Sequence, residues 1–362
     1  MKGVYKEVEL SGLLSNILEM IKPLDKGAMA DSQARQDRLT KPKGSLGRLE
    51  ELSIQLAGIQ GKLIPQIKHK AIITMAGDHG VVAEGVGNWP QAVTAQMVYN
   101  FLGGGAGINV LARQVGARLI VVDMGVATEL EANPQLLSMK IARGTQNMSL
   151  GPAMSREEAV RAIETGIEIV TTEVAKGLDI IGTGDMGIGN TTASSAICAV
   201  MTGKPVAEVT GRGTGIDDKQ LAHKVEIINR ALAVNQPDST QPLDVLAKVG
   251  GFEIGGLVGV MLAAAAHRIP VVIDGFISGA AALIATALSP NLKDFLIAAH
   301  VSAEAGHQLL LKHLGLKPLL DLGMRLGEGT GATLGIFLAE AAARVLAEMS
   351  TFTEAGVSER NG

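Results

Sequence analysis

A glycine-dense run at residues 182–192 carries residue types that could bind a phosphate. It reads GTGDMGIGNTT and lies between a predicted buried strand at 178–181 and a predicted helix at 193–201. Glycine allows backbone N–H groups to approach an anion closely, and Thr191 or Thr192 is expected to cap the helix whose positive end faces that anion. A phosphate is therefore the first ligand to expect.

The same run also matches the dinucleotide fingerprint G-x-G-x-x-G over residues 182–187. Glu208 stands about 20 residues further on, where an acid that binds ribose is expected. Asp185 argues against this interpretation, because its carboxylate would repel a pyrophosphate, and Gly189 delays the start of the helix. A third interpretation is a tight strand-to-helix turn that binds no ligand.

Polar residues follow a second predicted strand as well. Residues 71–76 form a buried strand by composition, and Gly77-Asp78-His79-Gly80 comes directly after it. Ligands of open α/β sheets lie at the carboxyl ends of strands, so Asp78 and His79 are candidate binding residues. A metal site is disfavoured there, because no second histidine lies at ligand spacing.

Two later stretches contain further candidates. TGRGTG at 210–215 is a second glycine-rich turn, and its Arg212 is suited to a phosphate or carboxylate. Lys224 lies two turns into the predicted helix that follows, where a solvent-exposed lysine is the alternative. Glu328 stands in GEGTG at 327–331, immediately before a predicted helix. It is either a catalytic carboxylate or a residue that stabilises the helix N-terminus.

The composition argues against several classes of function. The chain has 362 residues, a hydrophobic fraction of 47% and a net charge of −4, with no dense basic block that would indicate a nucleic-acid partner. The single cysteine, Cys198, favours a reducing compartment. No signal peptide is expected, and the longest apolar run, 255–266, is too short to span a bilayer. A soluble, cytoplasmic protein without a membrane partner is predicted.

The order of predicted elements indicates an α/β fold. Helices predominate up to residue 61, and strands then alternate with helices. The strands are expected at 71–76, 118–124, 178–181 and 271–274, with a further candidate at 295–300. Because parallel strands need long crossovers, this alternation predicts a doubly wound, mainly parallel, Rossmann-like sheet. We expect residues 67–325 to form that domain, and residues 1–66 with 326–362 to form a smaller helical domain.

Five motifs, taken in order, resemble those of one protein family. They are RLTKPKGSLGRLE at 38–50, AGDHGV at 76–81, GTGDMGIGNTT at 182–192, GRGTG at 211–215 and GEGTG at 327–331. Each motif alone is weak, but five in this order are specific. The chain resembles the nicotinate mononucleotide:5,6-dimethylbenzimidazole phosphoribosyltransferases of cobalamin biosynthesis.

The resemblance implies a reaction, an assembly and a set of site residues. The 5-phosphoribosyl group passes from nicotinate mononucleotide to dimethylbenzimidazole with inversion, in a homodimer that needs neither metal nor cofactor. By motif, Glu328 is the general base, and Asp185 lies at a substrate-side acidic position that is often Glu in the family. Gln91, Met186 and Phe276 are expected near the aromatic base. The other residues expected to bind substrate are Asp78, His79, Gly184, Gly187, Ile188, Gly189, Asn190, Thr191, Gly211, Arg212, Gly213 and Lys224.

Two functions of other classes remain open from the sequence. The fingerprint at 182–187 is compatible with an NAD(P)-dependent dehydrogenase, which would change the absorbance of NAD on turnover. A non-catalytic nucleotide-binding module would bind the mononucleotide without releasing nicotinate.

Overall fold

A six-stranded sheet forms the centre of the computed structural model, which describes residues 12–213 and 215–358. Its strands are β1 (Lys70–Gly77), β2 (Arg118–Gly125), β3 (Leu136–Ser138), β4 (Ile180–Met186), β5 (Val271–Ile273) and β6 (Leu296–Ala298). Neighbouring strands are parallel throughout, in the spatial order β3-β2-β1-β4-β5-β6. This is the strand order of a doubly wound fold, so the predicted α/β class is confirmed.

Helices connect the strands and cover both faces of the sheet. In the described part of the chain they are α1 (Gly12–Met20), α2 (Lys26–Gln36), α3 (Arg48–Gln60), α4 (Ala92–Leu102), α5 (Gly107–Val115), α6 (Arg156–Ala175), α7 (Asn190–Thr202), α8 (Val206–Val209), α9 (Asp218–Asn235), α10 (Pro242–Val249), α11 (Phe252–Ala266), α12 (Phe276–Leu288), α13 (Ala305–Leu314), α14 (Thr330–Glu348) and α15 (Phe352–Ala355). Two short 3₁₀ helices lie at Gly80–Glu84 and Pro290–Phe295.

The central strand β1 shows why the sheet is buried on both faces. Its residues alternate, so that Ala71, Ile73 and Met75 belong to one apolar core and Ile72 and Ala76 to the other. The first core is completed by α6, α11 and α12, and the second by α3, α5 and α14. Burial on both sides explains why these strands read as continuous apolar runs.

Strand β4 is longer than the sequence predicted. Residues 182–185 were expected to form part of a glycine turn, but they continue the strand. A Cβ on Gly182 would lie 2.4 Å from Ile72 Cδ1, and one on Gly184 would lie 2.2 Å from the Glu328 carbonyl oxygen. These glycines therefore allow close packing, and the predicted end of the strand at residue 181 is wrong.

The turn that follows β4 is correspondingly short. It occupies residues 187–189, and Gly189 takes the N-cap position of α7 with a φ of 95°, which favours glycine. Thr191 and Thr192 lie inside the first turn of α7, so the prediction that one of them caps the helix is wrong. The helix starts after Gly189, as the sequence indicated, but at Asn190, three residues before the predicted start at 193.

Helix α14 connects the N-terminal helices to the sheet. It packs on α3 and also on β4 and β5. By length and composition it is the one helix within residues 12–213 and 215–358 that could cross a membrane, but 56% of its apolar window is buried inside the protein. It is therefore accounted for as a core helix. Because α14 packs on both groups of elements, the division into a domain at 67–325 and a helical remainder stays a prediction.

Candidate active site

Two adjoining clefts open beyond the carboxyl ends of the parallel strands, where doubly wound folds bind their ligands. They share one wall, which consists of the turn after β4, the start of α7 and a residue of the second glycine-rich stretch. That wall is formed by Gly187, Ile188, Asn190, Thr191 and Gly213. The two glycine-rich motifs therefore meet at a single site.

Lys224 is the buried cation of the first cleft. It is 1% exposed, and its Nζ donates a hydrogen bond of 2.8 Å to Thr191 Oγ1. Burial lowers the pKa of Lys224 to about 8, although the charge of Glu304 opposes the shift. The N–H groups of Asn190 and Thr192 donate to the Gly187 and Gly189 carbonyl oxygens, so it is the ammonium of Lys224 at the positive end of α7 that suits a phosphate. The alternative of a solvent-exposed lysine is wrong.

We call the surface formed by Lys224, Thr191 and the first turn of α7 the phosphate cradle. The second glycine-rich stretch places one glycine against this cradle and one away from it. A Cβ on Gly213 would lie 3.3 Å from Thr191 Oγ1, whereas one on Gly211 would lie 2.0 Å from Glu304 Oε2, outside the first cleft. Arg212 lines the first cleft with its side chain 52% exposed, and its guanidinium also pairs with Asp218. Thr214 lies outside the described residues.

Gly213→Ala is expected to raise the KM for nicotinate mononucleotide about tenfold, because the added methyl group enters the cradle. The matched control is Gly203→Ala. Gly203 also has a positive φ, of 68°, but open space surrounds its Cβ position. Gly187 is unsuitable for this test, since a Cβ there would lie 2.2 Å from the Gly77 carbonyl oxygen and would displace the turn itself. Equal KM values for the two variants would remove Gly213 from the phosphate site.

Asp185 is the carboxylate of the second cleft. It is 6% exposed, and its Oδ2 accepts a hydrogen bond of 2.9 Å from Asn190 Nδ2. Burial raises the pKa of Asp185 well above its ordinary value, and the nearby charges of Asp274, Glu253 and Glu328 raise it further. Before substrate binds, the neutral form of Asp185 is therefore more strongly favoured than that of an ordinary aspartate.

The second cleft also contains residues expected near the aromatic base and several that the sequence analysis missed. Met186 and Phe276 line it, as predicted. The missed residues are Gly275, Ile277, His300, Ser302, Glu304, Arg325, Leu326 and Gly327. His300 and Ser302 come just after β6, so the strand-end rule that selected Asp78 would also have found them.

Glu328 lies beside the second cleft in a strained backbone conformation. It is 4% exposed and has a φ of 64°, which for a non-glycine residue costs of order 1 kcal/mol and is typical of functional sites. Its Oε2 accepts a hydrogen bond of 3.1 Å from the Ile108 N–H at the start of α5. Burial raises the pKa of Glu328, while that N–H lowers it; the net shift is upward. A base with a raised pKa is suited to accept a proton near neutral pH.

Five residues predicted to bind substrate line neither cleft, namely Asp78, His79, Gln91, Gly184 and Gly211. His79 is buried, and its Nε2 lies 2.6 Å from Glu253 Oε1. Burial lowers the pKa of His79, but the charge of Glu253 and the hydrogen bond to it outweigh burial and raise the pKa. Asp78 is also buried and accepts a hydrogen bond from the Ala127 N–H. Gln91 precedes α4. Direct binding by these residues stays a prediction.

The His79–Glu253 pair supports the cradle from behind. A Cβ on Gly189 would lie 3.2 Å from His79 Cβ, so the pair backs directly onto the turn after β4. In the described part of the chain, no group of three or more His, Cys, Asp or Glu side chains is arranged to hold a metal ion. The pair is accordingly interpreted as structural.

Glu253→Ala is expected to lower the free energy of unfolding by about 1–3 kcal/mol, because it leaves the buried His79 ring without its hydrogen-bond partner. The pKa of His79 is raised in the folded state, so this stabilisation is complete below the unfolded pKa and is lost as pH rises through the folded pKa. Urea unfolding at acidic and alkaline pH measures both effects. Glu340→Ala, which breaks a more exposed pair with Lys70, is the control.

Comparisons of the sequence and of the structure with known proteins identify the same family. The family model DBI_PRT, described as phosphoribosyltransferase, matches residues 21–357. Nicotinate-nucleotide–dimethylbenzimidazole phosphoribosyltransferases of Desulforudis audaxviator and a Roseiflexus species are 62% and 61% identical to the chain, each over 96% of it and 98% of the relative.

Solved structures agree with these sequence relatives. The crystal structure of CobT from Thermus thermophilus superimposes with a TM-score of 0.89 at 47% identity, and the match covers 92% of this chain and 100% of that one. Since the matches extend over nearly the whole chain, they include both clefts. The chain belongs to the family of nicotinate-nucleotide–dimethylbenzimidazole phosphoribosyltransferases.

Proposed function

We propose that this protein transfers the 5-phosphoribosyl group of nicotinate mononucleotide to 5,6-dimethylbenzimidazole, giving α-ribazole 5′-phosphate and nicotinate. Its relatives carry the name of this activity. The observation that carries the proposal is the buried Lys224 against Thr191 at the start of α7, since the adjoining cleft holds Asp185 and borders the Glu328 turn. A phosphate site and candidate proton acceptors therefore adjoin each other.

The reaction of the donor, nicotinate mononucleotide, requires few catalytic groups. The pyridinium nitrogen of nicotinate mononucleotide already carries the positive charge that is lost when the glycosidic bond breaks, so the leaving group needs little acid assistance. The benzimidazole nitrogen forms the new bond to the anomeric carbon, and the proton on the other ring nitrogen must be removed. What the protein supplies is orientation of two substrates and one general base.

We assign three roles within the site. Lys224, Thr191 and Gly213 hold the 5′-phosphate, and Asp185 contacts the ribose. Glu328 accepts the azole proton. The hydrogen bond from the Ile108 N–H to its carboxylate supports a base-binding side of the site that faces α5.

The dehydrogenase alternative loses its support in the structure. A dinucleotide fingerprint needs its first glycines in the turn after the strand. Gly182 and Gly184 lie within β4 instead, where they make room for Ile72 and the Glu328 backbone.

A homodimer and a cytoplasmic location complete the proposal. We infer the homodimer from the resemblance to the family, and Leu322 and Phe337, which are 58% and 57% exposed and line neither cleft, are apolar side chains available to a second copy. Light scattering coupled to size-exclusion chromatography measures the mass in solution. The one cysteine, Cys198, is buried in the core and fits a reducing compartment.

The activity is tested by incubating the protein with nicotinate mononucleotide and a panel of bases that contains 5,6-dimethylbenzimidazole, other benzimidazoles and adenine. Mass spectrometry identifies the products. Release of nicotinate together with a phosphoribosylated base supports the proposal, and the panel ranks the acceptors. Nicotinate release that does not depend on any base would indicate a hydrolase instead.

A further inference from the structure

The turn that carries Glu328 has an unusual backbone. Three consecutive residues have positive φ angles, 84° at Gly327, 64° at Glu328 and 98° at Gly329. Glycine adopts such angles readily, but glutamate does not. A glutamate between two such glycines keeps this conformation only where its surroundings enforce it.

The first enforcing contact comes from β1. Thr74 is fully buried, and its Oγ1 donates a hydrogen bond of 2.8 Å to the carbonyl oxygen of Glu328. Gly184 on the neighbouring strand allows this approach, because a Cβ there would lie 2.2 Å from the same oxygen. Strand β4 also holds the amide side of Glu328, since the Glu328 N–H donates a hydrogen bond of 3.2 Å to the Asp185 carbonyl oxygen.

The second enforcing contact comes from the residue after β5. Asp274 is 1% exposed, and its Oδ2 accepts a hydrogen bond of 3.1 Å from the Gly329 N–H. Its Oδ1 accepts one of 3.0 Å from the Ala332 N–H in the first turn of α14. Asp274 thus fixes the backbone directly after Glu328, as Thr74 fixes the carbonyl of Glu328 itself.

We propose that Thr74 and Asp274 are positioning residues that hold the left-handed Glu328 turn in the geometry needed for proton transfer. The proposal rests on the role of Glu328 as general base in the proposed function. Neither side chain lines the two clefts. Loss of the Thr74 contact therefore displaces the base without removing a substrate contact, so kcat should fall while the KM for nicotinate mononucleotide stays unchanged.

Thr74→Val is the sharpest test, because valine keeps the shape of threonine and lacks the hydroxyl donor. We expect kcat to fall about 10- to 100-fold, the range that a small misplacement of a reacting group produces. Thr74→Ser retains the donor and should recover most of the rate. Thr165→Val is the matched control, since Thr165 is a buried threonine on α6 whose Oγ1 donates to the Arg161 carbonyl oxygen.

Asp274→Asn provides a second variant, because asparagine keeps the size of the side chain but can accept only one of the two N–H bonds. It should also lower kcat, but it removes a charge that raises the pKa of Asp185, so the test of an unchanged KM rests on Thr74→Val, in which calorimetry should show normal nicotinate mononucleotide binding. The positioning role is wrong if Thr74→Val and Asp274→Asn keep the kcat of Thr165→Val while Glu328→Gln loses activity. If Glu328→Gln keeps its activity, the assignment of the base is wrong, and the positioning role is overturned with it.

Discussion

Glu328→Gln is expected to lower kcat by about 10²- to 10⁴-fold, the usual contribution of a general base, while nicotinate mononucleotide still binds. Glutamine keeps the shape of the side chain and can still accept the Ile108 N–H bond, but it cannot take up a proton. Because burial raises the pKa of Glu328 in the wild type, kcat should also fall as pH drops below that raised pKa. Steady-state kinetics across the pH range measures both effects.

Two further variants sharpen this test. Asp185→Asn should mainly raise the KM for nicotinate mononucleotide, because Asp185 is assigned a ribose contact and binding losses appear in KM. Glu340→Gln, on the outer part of α14 and paired with Lys70, should change neither constant. If Asp185→Asn lost kcat and Glu328→Gln kept it, the two carboxylates would have to exchange roles.

Lys224→Met should weaken nicotinate mononucleotide binding by about 10²-fold or more, the size of effect found when one partner of a buried charge pair is removed. Methionine fills the space of the lysine stem but cannot attract a phosphate. The control is Lys219→Met on the same helix, where the lysine is exposed and lines neither cleft. Isothermal titration calorimetry gives the dissociation constants directly, and equal affinities for the two variants would contradict the cradle.

The lowered pKa of Lys224 predicts that both nucleotide affinity and stability depend on pH. Its pKa in the folded, unliganded protein is about 8, so affinity for the mononucleotide should decline as pH rises above that value. The unfolded chain holds the lysine proton more tightly, so between pH 8 and the ordinary pKa of lysine the unfolded state binds more protons. This group therefore makes the free energy of unfolding rise with pH in that window, and Lys224→Met should abolish that contribution.

The sequence was sufficient to predict the fold class, although it did not predict β3, and particular residues show why parts of the site were harder to predict. Burial on both faces makes β1 and β2 nearly continuous apolar runs, so they were found directly. Gly182 and Gly184 were wrongly assigned to a turn. In a sequence, a glycine that makes room for a neighbouring side chain cannot be distinguished from one that adopts a positive φ. Only the tertiary contacts of Ile72 and the Glu328 backbone distinguish the two cases.

Burial of polar residues was the other missing information. Lys224 belongs to a helix whose residue pattern does not distinguish a buried ammonium from an exposed one; its contact with Thr191 depends on how α9 packs on α7. Asp274, by contrast, follows β5 as Asp78 follows β1, and the same strand-end rule would have selected it. His79 was selected by that rule but bonds to Glu253 in the interior instead of facing the cleft.

In the proposed site, Lys224 binds the phosphate of the nucleotide and Glu328 accepts the proton of the attacking base. The most direct test of these two roles is to measure the dissociation constant of nicotinate mononucleotide and the single-turnover rate at saturating substrates for Glu328→Gln and Lys224→Met in parallel. We expect opposite patterns: Glu328→Gln binds normally and reacts slowly, whereas Lys224→Met binds weakly and reacts at close to the wild-type rate once saturated. Slow reaction with normal binding in Lys224→Met, or weak binding with a normal rate in Glu328→Gln, would contradict these roles.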